Sequence, residues 1–193
     1  MKNNFNILIT GVGGQGLITL VDVLVKSALA DGKDVKSSEL HGLSQRGGAV
    51  AVYVSMGKKV YSPLFKKGDA DLILALDLLE GLRSYDFANK NTKVLLNNKF
   101  VPLALGGEKT ITKDEVVVKV KEIIGSNLHL IEASKICQEK LQKEILATMY
   151  LLGYAVFNGY LDIKPESVTV GIKKAMPEKY QQMNIDAFNL AKN

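Results

Sequence analysis

The feature that most constrains this chain is a glycine-rich turn between an apolar strand and an apolar helix. Residues 6–10 (NILIT) run directly into residues 11–16 (GVGGQG), and the apolar segment Leu17–Ala30 follows. Glycine tolerates positive φ and lets other groups approach the main chain closely, so this density of glycine predicts a tight turn. The helix then points its N–H groups and its positive dipole end over that turn. We therefore expect a site for a phosphate or a carboxylate here.

This turn also matches a dinucleotide-binding pattern, which leaves two interpretations open. Gly11, Gly13 and Gly16 fit G-x-G-x-x-G, and that pattern requires an acidic residue about 20 positions on, at the end of the second strand. Glu39, after a short strand predicted at 34–38, is the candidate. This interpretation predicts a stand-alone NAD(P)-binding oxidoreductase. The simpler interpretation is that the glycines only let the first helix pack closely on the sheet.

A second polar, glycine-rich segment follows at 38–48, with the sequence SELHGLSQRGG. Of the 25 lysines and arginines in the chain, only Arg46 and Arg83 are arginine, and one of them lies in this segment. Arginine offers a planar fork that binds an anion through two hydrogen bonds. We expect Arg46 to bind an anion, with a cap on a carbonyl or a pair with Glu39 as the simpler alternative.

The composition argues against several kinds of site. Cys137 is the only cysteine, so the chain forms no internal disulfide and cannot by itself ligate an iron–sulfur cluster. The two histidines, His41 and His129, lack the spacing of zinc ligands, and we expect His129 to be structural. The net charge of +5 comes from lysines that are spread along the chain and not interleaved with aromatic residues, so we expect no nucleic-acid partner.

Length and hydropathy predict one cytoplasmic α/β domain. The longest apolar stretch, residues 145–157, is shorter than the roughly 20 residues that span a bilayer, so we expect a buried helix and no membrane partner. The first residues lead into a strand without an apolar signal segment, which favours the cytoplasm. With 193 residues and 47% hydrophobic composition, a single domain over residues 1–193 is the expected organisation.

Apolar runs in the middle of the chain predict a Rossmann-like three-layer α/β sandwich. Residues 70–76 (ADLILAL) have the continuous apolar character of a buried parallel strand, and residues 93–97 form the next strand. Two β runs at 49–55 and 59–62 flank a glycine turn, which predicts a β-hairpin inserted into a mostly parallel sheet. Ligands bind at the carboxyl ends of the strands in such a sheet, so these ends should meet at the edge that carries the first glycine turn.

The second half of the chain predicts helices with clear boundaries. Thr112 and Glu115 form a capping box at the start of one helix. We predict a further helix over 134–158, then one with Pro165 in its first turn, and a last helix over 178–191.

One motif in this region is a misleading match. Gly68 and Asp69, with Asn97 and Asn98 further on, nearly spell the GDG…NN signature that holds magnesium and thiamine diphosphate. In that signature the acidic turn follows an apolar strand, so that the carboxylate emerges at the carboxyl end. Here the apolar run follows Asp69, so this turn lies at the wrong end of its strand.

Four segments together resemble a known family: NILITGVGGQG, SELHGLSQRGG, VYSPLF and ADLILALDLLEGL. They are similar to the gamma component of the 2-oxoacid:ferredoxin oxidoreductase family, in particular to the small (beta) subunit of indolepyruvate:ferredoxin oxidoreductases. The stretch 146–191 is also similar, so the resemblance covers nearly the whole chain. GVGGQG followed by Q-R-G-G is far more specific than G-x-G-x-x-G alone.

The resemblance implies a required but non-catalytic subunit of an enzyme of anaerobic metabolism. That enzyme oxidatively decarboxylates a 2-oxo acid, here indolepyruvate or another aryl pyruvate, with coenzyme A as acyl acceptor and ferredoxin as electron acceptor. In the family, a large alpha subunit holds thiamine diphosphate, magnesium and the iron–sulfur clusters. The isolated chain is then expected to bind none of these cofactors, to be inactive and to form a homodimer. By the same resemblance, the residues expected to face the partner or an anionic ligand are Gly11, Gly13, Gly14, Gln15, Gly16, Gln45, Arg46, Gly47 and Gly48.

The chain departs from the family pattern at two places. Leu43 stands where family members often have methionine, and residues 100–114 match no motif of the family. The resemblance therefore does not fix the substrate, and pyruvate, a branched-chain 2-oxo acid or 2-oxoglutarate stay open as alternatives.

Overall fold

A six-stranded mixed sheet with helices on both faces forms the centre of the protein. The computed structural model describes residues 4–41, 48–102 and 111–192. Across the sheet the strand order is β2-β3-β1-β4-β5-β6, and β1, β4, β5 and β6 run parallel. The strands are β1 (Asn4–Val12), β2 (Asp34–His41), β3 (Ala49–Gly57), β4 (Leu72–Ala75), β5 (Lys93–Asn97) and β6 (Leu128–Ile131). This arrangement confirms the predicted Rossmann-like α/β class.

The helices pack as two layers, one on each face of the sheet. Helices α1 and α4 to α7 contribute to one apolar cluster, and α2 and α3 contribute to the other. None of the helices in the described ranges is long and apolar enough to cross a bilayer. The helices are α1 (Leu17–Ala30), α2 (Leu78–Arg83), α3 (Lys113–Ile124), α4 (Ala133–Leu141), α5 (Ala147–Phe157), α6 (Pro165–Ala175) and α7 (Glu178–Leu190).

Strand β1 lies between the two clusters and is buried from Asn6 to Val12. Ile7 and Ile9 belong to the cluster under α1, whereas Leu8 belongs to the cluster under α2. This alternation follows from the pleat, which points successive side chains to opposite faces. The apolar run that marked β1 in the sequence therefore serves both layers of the sandwich.

The predicted β-hairpin was assigned to the wrong pair of strands. Strand β3 pairs antiparallel with β2 on one side and with β1 on the other, so Gly57 lies opposite both Asp34 and Asn4. Residues 59–62, the predicted second strand, are not a strand. Because β3 pairs with β1 along one edge and with β2 along the other, it has no free edge with which residues 59–62 could pair. The Val60 N–H instead donates a 2.7 Å hydrogen bond to the carboxylate of Asp34.

Two other predicted boundaries also shift. Strand β2 continues to His41, three residues beyond the predicted strand, because pairing with β3 extends to Val50. The helix predicted over 134–158 is two helices, α4 and α5. Gln142 ends α4 with a φ of 54°, the left-handed conformation that stops a helix. The capping box of Thr112 and the placement of Pro165 in the first turn of α6 are confirmed.

Two glycines allow helices to cross in close contact. A Cβ at Gly171 in α6 would lie 2.7 Å from Val23 O and 2.9 Å from Ser27 N, both backbone atoms of α1. Gly153 in α5 meets α7 in the same way, since a Cβ there would collide with Phe188 O. These positions need glycine for space and not for its φ angle.

We predict that Gly171→Ala destabilises the protein. Alanine gains about 1 kcal/mol of helix propensity over glycine, but overpacking against rigid backbone costs typically 1–3 kcal/mol, and here the new methyl meets more than one atom. Urea unfolding should therefore show a loss of about 1–2 kcal/mol. Lys173→Ala, on the exposed face of the same helix, is the control and should change stability by less than about 0.5 kcal/mol. An equally stable Gly171→Ala variant would contradict the close crossing.

Candidate functional site

The predicted turn between β1 and α1 is present and depends on glycine at two positions. Gly14 has a φ of 100° and Gly16 a φ of 83°, both in the left-handed region that favours glycine. Gly16 is the residue before the first turn of α1, and no side chain caps that end of the helix. The first N–H groups of α1 therefore face the carboxyl edge of the sheet.

Gln15 holds this turn against two strands. Its Oε1 accepts a 2.8 Å hydrogen bond from Val12 N at the end of β1, and its Nε2 donates to Leu76 O, just beyond β4, at 3.4 Å. A Cβ on Gly11 would lie 2.6 Å from Gln15 Oε1. The first glycine of the motif thus makes room for the glutamine, whose amide is used for structure.

The two glycine-rich segments meet at one backbone contact. Gly13 N donates a 3.0 Å hydrogen bond to Gly48 O, because the register of β1 and β3 sets Val12 opposite Ala49. Gln45, Arg46 and Gly47 lie outside the described residues, so the anion-binding role of Arg46 stays a prediction.

Glu39 does not lie where a dinucleotide site needs its acidic residue. In that fold the second strand lies next to the first. Here β3 separates β2, which carries Glu39, from β1, so Glu39 lies two strand spacings, roughly 10 Å, from β1. The geometry that motivated the NAD(P) alternative is therefore absent from the described sheet.

A cleft of about 340 Å³ opens beside the glycine turn, at the carboxyl ends of β1, β4 and β5. The predicted meeting of the strand ends at this edge is confirmed, since Leu76 and Asn97 line the cleft together with Gly14 and Gln15. The other residues that line it are Lys99, Val101, Ser134, Glu144, Ile145 and Ala147. In contrast, Asp69 precedes β4 and so lies at the opposite edge, as predicted.

Asn97 joins the floor of the cleft to the start of α4. Its Nδ2 donates to Leu76 O at 3.2 Å and to Ser134 Oγ at 2.8 Å, and its Oδ1 accepts from Ser134 N at 3.1 Å. The amide is buried and its hydrogen bonds are made within the chain. Asn97 therefore shapes the cleft and offers little to a ligand.

Asp77 fixes the rim of the cleft without being available for catalysis. Its carboxylate is 1% exposed and accepts from Leu79 N at 2.9 Å, Glu80 N at 3.2 Å and Val101 N at 2.7 Å. Burial raises the pKa of Asp77 above its ordinary value, although these three donors act in the opposite direction. Asp77 caps α2 and anchors residues 99–101.

An ion pair lines the cleft. Lys99 Nζ lies 2.9 Å from Glu144 Oε1, and both side chains are about half-exposed. Hydrogen bonds from Lys99 and from the Ser134 hydroxyl hold the pKa of Glu144 below its ordinary value. Glu144 is therefore ionised at neutral pH and balances the charge of Lys99.

Sequence reasoning missed Lys99, Ser134 and Glu144. Lys99 could have been found from the sequence, because it lies two residues beyond β5 and ligands bind at the carboxyl ends of the strands in such a sheet. No sequence pattern indicated Glu144, since it lies in the break between α4 and α5, where a continuous helix was predicted.

His129 and Cys137 lie away from this cleft. Burial lowers the pKa of His129, with Lys93 adding to the effect, and its ring packs 4.7 Å from that of Tyr160, so a structural role fits. Cys137 is fully buried. Within the described ranges no group of three or more His, Cys, Asp and Glu side chains is placed to hold a metal ion.

We predict that Gln15→Ala lowers the free energy of unfolding by about 1–3 kcal/mol. The reason is that Val12 N–H and Leu76 C=O lose their side-chain partner at a half-buried site. Chemical denaturation measures the loss. Gln138→Ala, on the exposed face of α4, serves as control and should stay within about 0.5 kcal/mol of wild type. Equal effects of the two substitutions would show that the turn does not depend on Gln15.

We predict that the Cys137 thiol is inert in the folded protein. Burial raises its pKa to about 11, so almost none is thiolate at neutral pH, and the thiolate is the reactive form. A chromogenic disulfide reagent should label the chain only after denaturant is added. Since the chain has one cysteine, the signal has a single source, and rapid labelling of the native chain would contradict the burial.

Comparison with known proteins agrees with the resemblance noted above. The family model described as pyruvate ferredoxin/flavodoxin oxidoreductase matches residues 6–193. The chain is 33% identical to indolepyruvate oxidoreductase subunit IorB of Archaeoglobus fulgidus, over 97% of this chain and 94% of that protein. It is 25% identical to pyruvate synthase subunit PorC of Methanothermobacter marburgensis, over 94% and 92% of the two chains.

Solved structures show the same fold. The gamma subunit of a keto/oxoacid ferredoxin oxidoreductase from Geobacter sulfurreducens superposes with a TM-score of 0.69, at 21% identity, over 97% of this chain and 96% of that one. The 2-oxoglutarate:ferredoxin oxidoreductase of Magnetococcus marinus superposes with a TM-score of 0.74, at 17% identity, over 100% of this chain but 31% of that one.

These relatives do not support the NAD(P)-binding alternative, because they are subunits or larger chains of oxo-acid oxidoreductases. The predicted resemblance is confirmed. The chain belongs to the pyruvate ferredoxin/flavodoxin oxidoreductase family.

Proposed function

We propose that this chain is the non-catalytic small subunit of a cytoplasmic 2-oxoacid:ferredoxin oxidoreductase, and that residues 1–193 act as one domain. The enzyme oxidatively decarboxylates indolepyruvate or another aryl pyruvate, transfers the acyl group to coenzyme A and passes the electrons to ferredoxin. A larger partner subunit holds thiamine diphosphate, magnesium and the iron–sulfur clusters. The chain supplies a surface of the assembled active site.

One observation carries this proposal: the chain matches small subunits along nearly their whole length, but only part of a larger enzyme. It covers 94% of the Archaeoglobus fulgidus subunit and 31% of the Magnetococcus marinus chain. A module of this size that aligns end to end with subunits called IorB supports both the subunit role and the aryl pyruvate substrate.

The chemistry of the described residues supports a non-catalytic role. Cys137 is buried, and His129 lies away from the cleft among aromatic rings. Asp77 uses its carboxylate to bind three backbone N–H groups. The reacting groups of the proposed reaction then belong to the partner and its cofactors.

Apolar side chains beside the glycine turn support the carboxyl edge of the sheet as the surface that meets the partner. Ile18, in the first turn of α1, is 48% exposed, and Ile145 is 51% exposed. Ile145 lies over the turn, with its Cδ1 3.3 Å from where a Cβ on Gly16 would stand. Exposed apolar side chains around a functional edge are typical of an interface. In this proposal both glycine-rich segments, including Gly48, face the partner or coenzyme A.

Capture of the tagged chain from its source cells tests the proposal. Material bound to the resin under anaerobic conditions should contain a large iron–sulfur protein and should reduce a viologen dye when a 2-oxo acid and coenzyme A are added. Indolepyruvate, pyruvate and 2-oxoglutarate, compared side by side, identify the substrate. A chain that is captured alone and shows no dye reduction would refute the subunit role.

We predict that Ile145→Glu weakens capture of the partner at least tenfold, because it sets a charge in an interface that excludes water. Val118→Glu is the matched control, since Val118 is 53% exposed but lies on α3, on the opposite face of the sheet. Thermal unfolding of both variants confirms that they fold. Equal capture by the two variants would show that the partner does not cover this edge.

A further inference from the structure

The ion pair between Lys99 and Glu144 contributes little to the fold. The two side chains are 40% and 44% exposed, and pairs this exposed typically add less than about 1 kcal/mol. Both nevertheless line the cleft beside the glycine turn. A weak pair in a cleft can exchange one partner for another at low cost.

We propose that Lys99 is the residue of this cleft that binds a phosphate group, and that Glu144 competes with the ligand for it. The ligand class is a diphosphate, such as that of coenzyme A. This inference rests on the proposed function and adds to it two residues outside both glycine-rich segments.

The backbone around Lys99 is fixed by hydrogen bonds, and its half-exposed side chain ends in the pair with Glu144. Lys99 O accepts a 2.8 Å hydrogen bond from Leu78 N, and Lys99 N donates to Asn97 O at 2.7 Å. Two residues further on, Val101 N is held by Asp77. The Lys99 side chain therefore extends from a fixed main chain, and its ammonium group can turn from Glu144 to a ligand without movement of that main chain.

The glycine turn, which lines the same cleft, supplies donors that suit the same ligand. Gly14 lines the cleft from the turn that precedes α1, where the main chain leaves N–H groups for an anion. Among the described residues that line the cleft, Lys99 is the one cation. A lysine in the same cleft as a glycine turn at a helix N-terminus suits a phosphate, since lysine acts as a point charge.

Glu144 has the properties of an internal competitor. Its carboxylate bonds to the same ammonium that the phosphate would use, and it is ionised at neutral pH because Lys99 and Ser134 lower its pKa. Removal of its charge should therefore strengthen binding of an anion, whereas removal of the Lys99 charge should weaken it.

The test uses the full chain and inorganic diphosphate at low ionic strength, with the Kd measured by titration calorimetry. Lys99→Met should raise the Kd roughly tenfold, which is the loss of one charge-assisted hydrogen bond. Glu144→Gln should lower the Kd roughly threefold, because an anionic competitor is removed. Opposite effects from the two members of one pair are the signature, since a merely structural pair would give effects in the same direction.

Lys135 and Glu139 provide the matched control. They form an exposed pair on α4, 4.0 Å apart, and do not line the cleft. Lys135→Met and Glu139→Gln remove the same charges from the chain, so they report how much of any change comes from net charge alone. Both should leave the Kd within about twofold of wild type.

Two results of the diphosphate titrations would overturn the inference. One is a Lys99→Met effect no larger than that of Lys135→Met. The other is a Glu144→Gln variant that binds diphosphate more weakly than wild type.

The KM for coenzyme A of the captured complex is the second readout, and it should rise with Lys99→Met while the KM for the 2-oxo acid stays constant. Unchanged KM for coenzyme A, together with no diphosphate binding by the wild-type chain, also overturns it. The proposed function fails separately, when no cluster-bearing partner is captured.

Discussion

The pairing of β3 with β1 is the constraint on which the rest of the structure depends. Nine residues of each strand pair, from Asn4 opposite Gly57 to Val12 opposite Ala49. This ladder places an antiparallel strand where a dinucleotide-binding fold has its second parallel strand. It also returns the chain to the glycine turn, so that Gly13 bonds to Gly48. Because β3 occupies that place, Glu39 on β2 lies too far from β1 to serve a ribose site. The same pairing brings the two glycine-rich segments together.

The polar residues near the cleft mostly serve the architecture. Gln15, Asn97 and Asp77 bind backbone groups at the ends of strands and helices, and each leaves few free atoms for a ligand. What faces the cleft mouth is a weak ion pair, main-chain N–H groups and apolar side chains. Such a surface can hold a ligand or a partner in place, which agrees with the role of one subunit in a larger enzyme.

The class of fold, the glycine turn and the edge that carries the cleft could be predicted from local patterns. Predictions that depend only on neighbouring residues were correct. These are the apolar runs of β1 and β4, the capping box of Thr112 and the first helical turn at Pro165. The hairpin was misassigned because a β run does not show which strand it pairs with, and β3 pairs with strands on both sides. Lys99 and Glu144 are separated by 45 positions in the numbering, and only the folded chain brings them together.

The close helix crossings mean that different contacts hold the residues around the cleft in place. At Gly171 helix α6 lies against the main chain of α1, and at Gly153 helix α5 lies against the main chain of α7. Residues 99–101 form a short segment that is tied to the start of α2 by hydrogen bonds with Leu78 and Asp77. The glycine-turn side is therefore held by packed main chains, and the side that carries the lysine is held by hydrogen bonds.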